Sequence, residues 1–197
     1  MFFRKTIILS LILLILISGS AAAAVNLKAG YLNYSGNIIK LSEGINITRD
    51  EIVIKAPEGQ LNREENKLIL NKEINMSSEE GMISSKKMTA FLNEELYIFE
   101  NNVQFDLKKE NDKSNIKITA DYLEMKQKEN TIIIKNGLKI NYNNKLLESD
   151  TADYNTENGI LNLEGNVYIE EENGDWIKGD KAIFYTDNEE EQFEVEG

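Results

Sequence analysis

The chain has 197 residues, 34 acidic against 22 basic, and a formal net charge of −12. Such acidity argues against nucleic acid as a partner, because phosphate backbones demand a basic footprint. The chain contains neither histidine nor cysteine, which excludes disulfides, Ser-His-Asp or Cys-His catalysis and histidine-ligated zinc or iron. Carboxylate pairs remain available, but none sits in a recognisable constellation. The chain therefore reads as a non-enzyme with no cofactor and no metal site.

Residues 1–24 have the make-up of an export signal. Arg4 and Lys5 form a basic start, Ile7 to Ile17 is apolar apart from Ser10, and Ala21 to Ala24 offers a small-residue cleavage site. The expectation is a signal peptide cleaved near Ala24, with an uncleaved anchor helix as the alternative. Either way residues 25–197 lie outside the cytoplasm, as one domain long enough to bury a core without disulfides.

Beyond residue 24 the signal is that of short strands. Apolar residues alternate over four to seven positions and are broken by clusters of Asn, Gly, Asp, Glu or Lys. Ile116, Ile118, Ala120 and Tyr122 alternate in this way, and the only proline is Pro57. Turns are expected at Arg63–Asn66, Lys126–Asn130, Thr156–Gly159 and Asp187–Glu191.

One seven-residue motif recurs five times: Leu41 to Ile47, Leu70 to Met76, Phe99 to Phe105, Ile134 to Ile140 and Leu163 to Ile169. Position 1 is apolar, positions 3 and 4 are Gly or polar, and positions 5 and 7 are apolar. The steps between copies are 29, 29, 35 and 29 residues, and a fixed period near 30 denotes a repeat architecture. Glu73 replaces Gly in the second copy, which leaves the pairing of residues 25–100 unspecified. Positions 5 and 7 share one face of a strand, so Ile45, Ile47, Ile74, Met76, Val103, Phe105, Leu138, Ile140, Val167 and Ile169 are the candidate apolar interior. Gly or Asn at a fixed place bends every strand at the same level, and stacked bends make a trough.

A second element alternates with the first, an Ala followed two residues later by Tyr or a larger side chain. Its copies start at Ala29, Ala56, Ser85, Ala120, Ala152 and Ala182. Strand, turn, strand with no crossover helix predicts antiparallel neighbours. The longest step contains the polar stretch 108–115, expected as a surface loop. Asp121, Asp153 and Asp180 are expected as strand-end or surface groups. Glu170–Glu172 and Glu189–Glu191 read as solvated turns, and Trp176 as a packing or rim residue.

The stretch Leu161-Asn-Leu163-Glu-Gly165-Asn166-Val167-Tyr-Ile169, an acidic turn, and Ile177-Lys-Gly179-Asp180-Lys181-Ala182-Ile-Phe-Tyr185 resembles the OstA-like family of lipopolysaccharide-transport proteins. The pattern extends over most of residues 29–197 and is closest in the last third. The resemblance implies an all-β antiparallel jellyroll of stacked V-shaped strands, open along one side, whose ten interior residues line a groove for the acyl chains of lipopolysaccharide or a related lipid. It also implies a periplasmic carrier that meets an inner-membrane transport complex and an outer-membrane assembly protein through edge strands, and copies of itself head to tail. Val195-Glu196-Gly197 stands where a sixth copy of the motif begins. The residues themselves leave two other readings: an anchored relative in the same pathway, and a structural β-repeat protein with a dry core.

Overall fold

The computed structural model describes residues 26–49, 51–78, 81–107, 116–142, 145–155, 157–185 and 192–197. The expected signal segment 1–24, the loop 108–115 and the turn at 187–191 lie outside the described residues. Thirteen strands form one antiparallel sheet: β1 (Asn26–Ser35), β2 (Ile38–Arg49), β3 (Ile52–Ala56), β4 (Glu58–Asn62), β5 (Lys67–Ser77), β6 (Gly81–Phe91), β7 (Leu96–Leu107), β8 (Ile116–Lys126), β9 (Thr131–Tyr142), β10 (Lys145–Asn155), β11 (Ile160–Glu170), β12 (Trp176–Tyr185) and β13 (Gln192–Glu196). Each strand pairs with its neighbours in sequence, except that β3 and β4 together fill one place between β2 and β5. The expected all-β antiparallel architecture is therefore the one observed, jellyroll-like in form. The turn at Lys126–Asn130 holds a single 3-10 turn, Gln127–Glu129.

What makes a flat meander into a folded one is the middle of the repeat. Positions 3 and 4 of the motif adopt positive φ: Glu43 and Gly44, Lys72 in the second copy, Asn101 and Asn102, Asn136 and Gly137, Gly165 and Asn166. Left-handed backbone inside a strand ends its pleat, and Gly and Asn are the residues that tolerate it. At each of these sites two residues face one on the partner strand, the geometry of a bulge. Asn101 and Asn102 oppose Asp121 between the pairs Glu100–Tyr122 and Val103–Ala120. Asn136 and Gly137 oppose Asp150, Gly165 and Asn166 oppose Asp180, Lys72 and Glu73 oppose Lys86, and Glu43 and Gly44 oppose Gly30. Between β2 and β5 the same corner is made by Pro57, whose missing N–H breaks the strand into β3 and β4.

The bends divide the sheet into two arms. The first holds Ile38–Ser42 of β2, all of β4 and the segments of later strands that pair with them. The second holds Ile45–Arg49 of β2, all of β3 and the remainder. Residues of both arms join one buried cluster, with Leu41, Leu70, Phe99, Ile134 and Leu163 from the first facing Ile45, Ile74, Val103, Leu138 and Val167 from the second. The second motif copy pairs in the same register as the others despite Glu73, because Lys72 alone takes the left-handed conformation.

The alternating Ala element is corrected by this register. The small residue at the corner, opposite motif position 5, is Ala29, Ala56, Ser85, Ala120, Ser149 and Gly179. Ala152 and Ala182 lie three residues further on, opposite Leu163. The corner demands a small side chain because the arms converge there. Ser85 and Ser149 meet that demand while buried, each hydroxyl donating to the carbonyl two residues on, at 3.0 and 2.9 Å. At Gly179 a Cβ would lie 2.5 Å from Val195 Cγ1.

Val195 pairs with Ala182, as Leu163 does on the other side, so Val195-Glu196-Gly197 does occupy positions 1–3 of a sixth motif. Gly59 faces inward between Leu41 and Leu70, where a Cβ would meet Ile69 O at 2.5 Å and Leu70 Cδ2 at 2.7 Å. Gly44, by contrast, has open space around it at φ +86°.

Three substitutions separate these effects in urea denaturation. Gly59→Ala will cost roughly 2–3 kcal/mol, the price of overpacking against backbone. Gly44→Ala will cost about 1 kcal/mol, from conformation alone. Lys72→Gly will gain up to about 1 kcal/mol by relieving the left-handed lysine, since the Lys72–Glu58 ion pair it removes (2.9 Å) is exposed and worth little.

Candidate functional site

The candidate site is the space between the arms. Positions 5 and 7 of every copy point into it, and nine of the ten sequence-derived residues are buried there; Ile140 is partly buried against the same cluster. The even-numbered strands supply residues that motif reading did not select, among them Ile83, Met88, Leu123 and Met125. Position 1 of each copy faces inward as well, and its invariable apolar character was the available signal. In the even strands the inner-facing set changes parity at the bend: Ala120 and Leu123, three residues apart, are both buried.

That change of parity moves Tyr122 out of its expected row. It lies on the outer face, its hydroxyl donating to Glu124, with Lys135 over its ring at 5.4 Å. Tyr154, by contrast, is buried within.

The interior is sealed along its middle and exposed at both ends of the stack. On β1, Leu27, Leu32 and Tyr34 lie across from Ile47, Leu41 and Ile39, yet are 38%, 42% and 65% exposed. On β12, Ile177 lies across from buried Ile169 and is 41% exposed. One apolar surface therefore runs the length of the molecule. β1 has no outer neighbour, and β13 covers only Lys181–Tyr185 of β12, so both ends present unpaired backbone among the described residues.

The polar groups named from sequence hold the bends and the outer face. Asp121 accepts the Asn102 N–H at 3.4 Å. Asp180 occupies the corresponding bend of β12, but the matching residue of β10 is Asp150, which accepts from Asn166 Nδ2 at 2.8 Å. Asp153 instead lies 3.5 Å from Asn162 Nδ2 on the arm. Glu170 accepts from the Tyr168 hydroxyl at 2.8 Å, and Glu171 pairs with Lys145 at 2.9 Å. Trp176 is a rim residue, exposed, 6.5 Å from the Tyr168 ring, with Lys178 5.2 Å from its own ring. Glu189–Glu191 lie outside the described residues.

Three tyrosines have raised pKa values. Tyr122 is pushed up to about 12 by burial, and then by its hydrogen bond to Glu124 and the charges of Glu124 and Glu100. Tyr168 is raised by its hydrogen bond to Glu170. Burial raises Tyr97 against the opposing pull of Arg49. Among the described residues no group of three or more acidic side chains could hold a metal ion, and the space between the arms offers apolar area.

The class of protein so defined is an antiparallel jellyroll of bent strands with a through-running apolar interior. The family model described as "LptA/(LptD N-terminal domain) LPS transport protein" matches residues 112–191. Among solved structures the chain resembles LptH of Pseudomonas aeruginosa, described as the LptA-homologous periplasmic component of the conserved lipopolysaccharide transport device. The TM-score is 0.50 and the identity 14%, over 58% of this chain and 82% of that one. No curated protein matches. The chain thus shows family-level similarity to the periplasmic lipopolysaccharide-transport proteins, and its fold is of their type.

Because the folded chain holds Tyr122 neutral up to about pH 12 and an unfolded tyrosine ionises near pH 10, this group's contribution to stability is complete below about pH 10. It is lost as pH rises through about 12. Tyr122→Phe will flatten the fall in urea stability between those values and leave the neutral-pH value little changed.

Proposed function

We propose that this chain is a non-enzymatic carrier that binds lipopolysaccharide or a related lipid between its arms and passes it across the periplasm from the inner toward the outer membrane. The observation that carries this reading is the apolar face that continues through every bent strand and is exposed at both ends. Acyl chains bind by area and need few polar contacts. At ~0.8 kcal/mol for each buried CH₂, partial burial of several chains holds a lipid against water. The match of residues 112–191 to a lipopolysaccharide-transport family supports the same reading.

Transfer would proceed by end-to-end contact. The unpaired edges at β1 and β12 suit strand addition, by other copies of the chain or by the terminal proteins of the pathway at the two membranes. The exposed inner-face residues Leu27 and Ile177 would then make the apolar surface continuous from one molecule to the next. An export signal in residues 1–24, cleaved near Ala24, would place the domain in the periplasm; if it is retained, the chain is an anchored component of the same pathway. Either way the acidic exterior keeps such a protein soluble.

A second reading draws on the burial itself: interior residues such as Leu163, Leu70 and Phe99 are almost wholly inaccessible, as in a structural protein with a dry core. Photo-crosslinking separates the two. A crosslinker placed in turn at Val103, Ile140 and Ile169 will give lipopolysaccharide adducts. One at Gln104, exposed on the opposite face between Val103 and Phe105, will not. Adducts at neither set of positions, with the chain folded, establish the dry core.

A further inference from the structure

The second arm turns one register of side chains outward across the whole sheet. Lys28 pairs with Asn46, and the pairing passes strand by strand to Tyr168 and Lys178. Members of this row alternate with inward-facing residues, as Asn46 does with buried Ile45 and Ile47, so the row lies on the outer face. Of its eleven residues four are lysine and one, Glu148, is a carboxylate. That reverses the balance of a chain with 34 acidic and 22 basic groups. At its centre Asn75, Ser84, Gln104 and Thr119 stand side by side on β5 to β8. None of these four makes a side-chain hydrogen bond among the described residues, which leaves a line of neutral donors and acceptors to water or a ligand.

At the β12 end the row meets aromatic rings. Trp176, 60% exposed, stands 6.5 Å from the Tyr168 ring, with 32° between their planes. The Tyr168 hydroxyl donates to Glu170 at 2.8 Å, which fixes its ring. Lys178 brings its ammonium to 5.2 Å from the Trp176 ring centre and 5.4 Å from that of Tyr168, and it forms no ion pair among the described residues. Rigid amphipathic rings beside hydrogen-bonding groups suit a sugar, whose ring faces are C–H and whose rim is hydroxyl. A protein partner would instead require an apolar surround that keeps water from the tryptophan. The nearby carboxylates of Glu172 and Asp175 oppose an anionic membrane surface.

Length sets the form of the sugar. With neighbouring strands about 4.8 Å apart, the row extends over roughly 48 Å, and one sugar ring is about as long as one strand spacing. A linear polymer fills such a row, whereas a compact lipid headgroup does not. The row follows the twist of the sheet, as a chain with rotatable linkages between its sugars can. We propose that the outer face of the second arm binds a linear, carboxylate-bearing polysaccharide along this row, with sugars stacked on Trp176 and Tyr168 and a carboxylate at Lys178. This face is separate from the interior, so its role is the same whether or not lipid lies between the arms.

Trp176 is the only tryptophan, so emission of the full chain reports binding at this end. The probes are peptide-free hexasaccharides and longer strands of alternating N-acetylglucosamine and N-acetylmuramic acid, set against chitohexaose, which lacks carboxylates. The acidic hexasaccharide will shift the emission and bind roughly tenfold or more tighter than chitohexaose, a margin that narrows as salt rises. By calorimetry, Trp176→Ala will weaken the acidic hexasaccharide about tenfold or more, and Trp176→Phe, which keeps a ring, will retain most of the binding. Lys178→Ala will remove the margin over chitohexaose. Gln104→Ala, on β7, will weaken the longer strands and leave the hexasaccharide unchanged. Both Trp176 and Lys178 are exposed, so these variants keep the fold. No binding of the acidic sugars, or binding that survives Trp176→Ala, overturns the site and leaves the carrier reading untouched. A margin that survives Lys178→Ala overturns the carboxylate contact, and longer strands indifferent to Gln104→Ala overturn the row. Equally tight, Trp176-dependent binding of a lipid-free core oligosaccharide overturns the polymer and makes the ligand the sugar of the cargo lipid.

Discussion

The left-handed backbone in the middle of β2, β5, β7, β9 and β11 is the constraint on which the architecture rests. Without it, thirteen strands in meander order make a wide twisted sheet with one apolar face open to water. With it, each strand doubles over at the same level and the two halves of that face close on each other. The cost is conformational, about 1 kcal/mol wherever a residue other than Gly or Asn takes the left-handed region, and Glu43 and Lys72 bear it. The gain is burial of a cluster drawn from every strand pair.

The corner sets a second condition on the strands that face these bends. Opposite each left-handed pair one residue turns outward, and its neighbour, lodged where the arms converge, must be small. Ala, Ser and Gly satisfy this by different means. Alanine fits by size alone, Ser85 and Ser149 return their hydroxyls to their own backbone, and Gly179 leaves room for Val195. Carboxylates in the outward place, Asp121 and Asp150, then accept from the Asn of the facing bend. The polar residues of the repeat thus organise corners, and the inner face is left to hydrocarbon.

Much of this was legible in the sequence. The period near 30, the five motif copies, the antiparallel order and the inward direction of positions 5 and 7 all follow from apolar spacing, and all appear in the structure. What was not legible turns on parity. Alternation assumes an unbroken pleat, so it placed Tyr122 in the row of Ile118 and Ala120, whereas the bend turns it outward. The same assumption favoured Ala152, Asp153 and Ala182 as equivalents of Ala120 and Asp121. The true equivalents are Ser149, Asp150 and Gly179, because the corner selects for volume and not for alanine as such.

The order of strands in space is the order in the chain, and contacts between elements join immediate neighbours, with β3 and β4 sharing one place. Such a molecule is nearly one-dimensional: each hairpin is held by the one before and the one after. Disruption should therefore spread inward from the termini rather than strike all strands at once, with amides of the largely exposed β1 exchanging with solvent first and those of β7 to β9 last. Local pairing also keeps loop-closure entropy small, so a chain of this kind can form quickly for an all-β protein, hairpin upon hairpin, without waiting for its distant ends to meet.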